Sequence, residues 1–185
     1  MTKYQPYLDF TAQSHNVSSL MRLYTLLQNH PDAKPPLTAF VVFIAFAIES
    51  YINSVGSRKI DFWNEIERLS WRKKLEILHN HSGNSSDWGG EPLQFAVEVF
   101  RLRDNLAHGK PERVFGPAFD DYSVASDALS SSHLKPDWFA SITESWVIES
   151  KDRFRKLMIY IATLYGLGEF DHLLHSSGSF IHHDA

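Results

Sequence analysis

Arg103, Asp104 and His108 fall together in the segment RDNLAHG, and their types suit phosphodiester chemistry. A histidine moves protons near neutral pH. An arginine grips phosphate oxygens at two points and offsets developing negative charge. A carboxylate beside them can orient the imidazole, and no metal or cofactor is required. The same spacing also suits a histidine near a helix C-terminus with a structural arginine, so the residues alone leave both readings open.

The element that must carry these groups is a helix over PLQFAVEVFRLRDNLAHG, with Pro92 as its first residue and Gly109 as its stop. At 100° per residue, Gln94, Glu98, Arg101, Asn105 and His108 share one stripe. Arg103 points the other way, among Ala96, Val99, Phe100, Leu106 and Ala107. An arginine on an apolar face needs a partner, because an unpaired buried charge is costly. Glu49 is the one charge within the apolar body of the second helix, on a face with Val42, Phe46 and Asn53. A Glu49–Arg103 pair is therefore expected, either fixing helix register or serving the site. His108 lies five positions after Arg103, about 140° around the axis on a continuing helix. At the helix end it is free to leave that direction, and the helix dipole favours its protonated form.

The chain has 185 residues and a net charge of −4 with histidines neutral, with 43% apolar and 22% charged residues. That length suits one domain over residues 1–185 with a real core, from about 17 to 168. The acidic balance disfavours broad nucleic-acid binding through phosphates, though a local basic site stays open. The absence of cysteine excludes disulfides, thiolate zinc sites and cysteine nucleophiles. The N-terminus MTKYQPYLDF has no signal-peptide pattern, and the apolar run Leu37–Ile48 is too short for a bilayer. A cytoplasmic protein with no membrane partner is expected.

Further helices are expected over 17–29, 37–55 with Gly56 as a stop, 61–80 with Asp61 as N-cap and a break near Ser70, and 138–165. Residues 110–136 read as irregular, with a short strand pair inside 114–124 as the main exception. The tail 172–185 is expected to fray. The class is all-α, an antiparallel bundle of four or five helices. His172, His175, His182 and His183 read as a solvated tail, with a metal site as the weaker alternative. His79 and His81 at a helix end have the same two readings. Arg68, Arg72, Lys73 and Lys74 read as a basic face, ordinarily solvated but able to guide RNA.

The motif Arg103-x4-His108 closing a buried helix, followed by Gly109-Lys110, resembles the Arg-x4-6-His signature of the HEPN superfamily. Glu49-x3-Asn53 in AIESYIN and KKLEIL over Lys73–Leu78 are similar to the family's second and third helices. The likeness spans about Leu37–Lys110 plus the last long helix, and leaves out the first thirty residues and the stretch after Lys110. It implies a helical bundle that dimerises with paired Arg-His sites. It also implies metal-independent endoribonuclease activity, in which a ribose 2′-hydroxyl attacks the adjacent phosphate. Arg103 would hold the phosphate, His108 would be the general acid or base and Asp104 would orient one of them. Glu49, Asn53 and Asn105 would stand behind the pair, and Lys110 and Arg101 would touch RNA. A toxin or defence role, with an antitoxin protein as possible partner, goes with this reading. The family equally contains catalytically silent nucleotide-binding or protein-interaction domains.

Overall fold

A computed structural model describes residues 3–131 and 134–183. The chain is mostly helical. Four long helices make the body: α1 Ala12–Asn29, α2 Leu37–Lys59, α5 Leu93–His108 and α8 Glu144–Thr163. Shorter helices are α3 Trp63–Ile66, α4 Trp71–His81, α6 Tyr122–Ser131 and α7 Asp137–Ala140. Strands β1 Lys3–Asp9 and β2 Ser177–His183 pair antiparallel, Lys3 opposite His183 and Asp9 opposite Ser177.

α2 is apolar nearly all round because it is central: it packs against α1, α5, α8 and α4. Phe40, Ile44, Ile48, Tyr51, Ile52 and Val55 are fully buried along it. At 23 residues it is long enough to cross a bilayer, unlike the shorter run read from sequence, yet here it forms the core of the bundle. α1 runs antiparallel to it, since Asn16 reaches Ser50 while Tyr24 packs on Phe40.

Several boundaries differ from expectation. α2 passes through Gly56 and ends at Lys59. The predicted 61–80 helix is two helices, and the break falls at Ser70, whose hydroxyl accepts from the Lys73 amide as the N-cap of α4. Asp61 caps neither piece, because α3 starts at Trp63. Pro92 precedes α5 rather than opening it. The last helix is interrupted after α7. It restarts with the Thr143 hydroxyl accepting from the Trp146 amide, while Ile142 is buried between the two pieces. No strand forms within 114–124, and α6 lies in the stretch read as irregular.

The C-terminal stretch is not a frayed tail over its described part. A 3-10 turn, Asp171–Leu173, lies against α1 and α8, and β2 then joins the N-terminal strand. Asp171 anchors the turn. Its carboxylate accepts from Arg58 Nη1 and Nη2 at 3.0 and 2.6 Å and from the Tyr51 hydroxyl at 3.0 Å. Its carbonyl accepts from Gln13 Nε2 at 3.1 Å. His172 is buried between the edges of Tyr51 and Phe154, so the solvated-tail reading fails for it, while His175 is exposed.

Candidate functional site at the end of α5

α5 forms because its apolar positions Phe95, Ala96, Val99, Phe100 and Leu102 bury against the bundle. It ends at His108, where the Gly109 amide bonds the Asn105 carbonyl at 2.9 Å. A Cβ at Gly109 would stand 2.3 Å from that carbonyl oxygen, so only glycine lets the chain turn this closely. His108 is exposed and still helical. Its backbone therefore keeps the helical position, about 140° around the axis from Arg103.

Arg103 is half-buried. Its guanidinium carbon lies 5.2 Å from the centre of the Phe100 ring. Phe100 stacks on Trp71 at 4.2 Å and 6°, Trp71 meets the edge of Trp88, and Arg72 covers the Trp88 ring at 4.3 Å. An aromatic column thus joins α5 to α4, with an arginine over each end. The Phe100–Arg103 contact is an i, i+3 helix pair and legible in sequence. Trp71 opens α4 and Trp88 lies in the turn between α4 and α5, so no helical spacing links either to Phe100.

The expected Glu49–Arg103 ion pair is not formed. Glu49 Oε1 takes Lys74 Nζ at 3.3 Å, and Arg103 Nε stands 3.2 Å from Asp104 Oδ1. Burial explains the exchange. Lys74 is only 2% exposed and α4 lies beside α2, so its ammonium has the stronger need of a carboxylate. Lys74 also leaves the basic face read from sequence. Lys73 there is paired with Glu76 at 3.0 Å, while Arg68 and Arg72 stay exposed. Arg103 Nε is buried and makes no aligned hydrogen bond despite its nearness to Asp104.

Of the remaining site residues, Arg101 and Lys110 are exposed and Asn105 is half-buried. Asn53 lines a cleft with Thr11 and Trp63, and no hydrogen bond joins it to Arg103 or His108 among the described residues. Glu98, on the polar stripe of α5, accepts from Trp146 Nε1 at 2.6 Å and from Arg153 at 2.8 Å and ties α5 to α8. His79 is buried, bonded to the Leu75 carbonyl and the Tyr160 hydroxyl, so neither earlier reading describes it. Among the described residues, no group of three His, Asp or Glu could hold a metal ion.

The Glu49–Lys74 pair carries a prediction. Glu49→Gln leaves a buried ammonium with weaker compensation and should cost about 1–3 kcal/mol, the lower range reflecting the half-exposed carboxylate. Lys74→Met, which removes the charge and keeps the volume, should be near neutral. Urea unfolding of both variants checks this. Equal losses in the two would show that packing, not charge, decides the position.

Comparison with family models, with curated proteins and with solved structures gave no match to this chain. The chain is thus a mostly helical domain with a small two-stranded sheet, and Arg103, Asp104 and His108 lie in the last turns of α5.

Proposed function

We propose that this chain is a HEPN-like, metal-independent endoribonuclease that works as a homodimer in the cytoplasm, in a toxin or defence setting. The observation that carries the reading is Arg103, a half-buried arginine with no cross-helix carboxylate among the described residues and an Nε without an aligned hydrogen bond, five residues before an exposed His108. Its Nε is buried beside Asp104, so the Nη donors are the ones left to meet a phosphate. His108 takes the proton from the ribose 2′-hydroxyl or gives one to the leaving 5′-oxygen. Attack of that hydroxyl on the adjacent phosphorus forms a 2′,3′-cyclic phosphate and releases a 5′-hydroxyl end. Because the two side chains leave the helix about 140° apart, a dimer in which Arg103 of one copy faces His108 of the other satisfies the chemistry better than one chain. The exposed aromatics Phe115 and Tyr122, on the stretch after Lys110, suit stacking by unpaired bases.

The test is cleavage of a labelled mixed-sequence RNA in EDTA by wild type and His108→Ala. The expected result is cyclic-phosphate ends from wild type and a fall of about 100- to 10,000-fold in the variant. A folded, dimeric wild type that cuts nothing would turn the assignment to a silent nucleotide-binding or protein-interaction domain, which the net charge of −4 favours.

A further inference from the structure

All seven residues of β1 are exposed, and the sheet it forms with β2 has two strands. A two-stranded ribbon is marginal in water, and further strands or a packed face are what make one stable. The register shows how this ribbon is sided. Pro6 stands opposite Phe180, and Leu8 opposite Gly178. By alternation Tyr4, Pro6, Leu8 and Phe180 share one side. Tyr4, Leu8 and Phe180 are each 62% exposed. The other side, with Lys3, Gln5 and Asp9, is the more polar one.

The two outer edges are not equivalent. Pro6, in the middle of β1, has no N–H. A paired strand admits proline where its nitrogen faces the open edge and not the ladder. The outer edge of β1 therefore lacks its central donor and is closed to a further strand. The same alternation fixes β2. Opposite residues either exchange both backbone bonds or exchange none, in turn along an antiparallel pair. Phe180, opposite Pro6, therefore turns its own N–H and C=O away from β1, and so do Gly178 and His182 two places to either side. That outer edge has none of the devices that guard a strand. Ser177–His183 contains no proline and no Lys, Arg, Asp or Glu.

We infer that β2 pairs antiparallel with β2 of a second copy of this chain, across a two-fold axis at Phe180, and so joins two ribbons into one four-stranded sheet. Phe180 is the middle residue of β2, so an axis at this residue pairs the whole strand. Phe180 then exchanges both backbone bonds with its counterpart, and Gly178 does so with the counterpart of His182. The axis stands upright on the sheet and keeps the two apolar sides together. The two Phe180 rings meet across it and extend the face that Tyr4 and Leu8 begin. The choice of a second copy rests on charge. A two-fold contact sets a surface against itself, so a charge near the axis would meet its like. β2 has none, whereas β1 carries Lys3 and Asp9. The contact needs neither Arg103 nor His108, so it and the endoribonuclease reading can each fail alone.

The chain has no cysteine, so one introduced thiol reports without ambiguity. Light scattering on the full chain should show self-association. Phe180→Lys, which sets two ammonium groups against each other at an exposed position, should weaken it by about 10-fold or more. Under mild oxidation Phe180→Cys should form a covalent dimer, since the two Cα atoms would stand about 5.5 Å apart, within disulfide reach. Ile181→Cys should not, because its counterpart lies two residues further along the neighbouring strand, beyond about 7 Å. A wild type still monomeric at about 1 mM overturns the inference. So does an assembly that a folded Phe180→Lys leaves unchanged, or one that cross-links through Ile181→Cys and not through Phe180→Cys. Either of these would leave the Arg103–His108 pairing of copies untouched.

Discussion

Gly56→Ala should lower stability by about 2–3 kcal/mol, and Gly56→Val should abolish the native fold. A Cβ built at Gly56 stands 2.3 Å from Trp63 Cδ2 and Cε2 and 2.4 Å from Cε3. These are three atoms of a rigid ring, itself 2% exposed, so no flexible end can give way. In an open helix the same change would be favourable by about 1 kcal/mol, because glycine is the poorer helix former. The sign of the result therefore decides between helix propensity and packing. Chemical unfolding of Gly56→Ala, Trp63→Leu and the double variant checks it. The double variant should recover part of the loss relative to the sum of the single changes. A Gly56→Ala protein as stable as wild type would mean that Trp63 does not lie on the α2 backbone. That would also remove the back wall of the Asn53 cleft.

Gly56 shows where sequence reading ran out. A glycine after a long apolar stretch reads as a helix stop, since nothing local distinguishes a stop from a glycine kept small for a ring seven residues on. The break at Ser70 was legible because its cause is local: a hydroxyl that caps, followed by a fresh turn. The end of α5 was legible for the same reason, through Gly109. Lys74 was not. It follows Lys73 in an apparently solvated basic run, and only the docking of α4 on α2 makes one of the two lysines internal. The Glu49–Arg103 expectation fails with it, because Glu49 does take a cation but the nearer one is concealed in that basic run. The terminal strands pair residues about 170 positions apart, which no window of periodicity senses. RDNLAHG was legible as the end of α5, with His108 exposed and Arg103 half-buried in its last turns.

Asp171→Asn should cost about 2–4 kcal/mol at neutral pH, and stability should fall with acid in two stages. Bonds from Arg58 hold the Asp171 carboxyl below its ordinary range, helped by the Tyr51 hydroxyl and against the cost of burial. Asparagine keeps the shape but leaves the Arg58 guanidinium, 37% exposed, without its ion pair. The partial exposure of Arg58 keeps the loss below that of a fully buried pair. A carboxyl whose folded pKa is depressed contributes stability that is complete above its unfolded value, about 3.9, and disappears as pH falls through the folded value. His172, next in the chain, titrates at higher pH. Burial pushes its imidazole below the ordinary range, against a raising hydrogen bond to the Glu169 backbone. Between the unfolded value of about 6.5 and the lower folded one, the unfolded chain binds the extra proton, so stability declines as pH drops below about 6.5. His172→Phe, which keeps a ring between Tyr51 and Phe154, should remove the first stage and leave the second. Asp171→Asn should remove the second and leave the first. Unfolding midpoints measured from pH 8 to pH 3 resolve the two stages. A pH slope near 6 that His172→Phe leaves untouched would place that proton on another histidine and leave the acid sensitivity of the 3-10 turn to Asp171 alone.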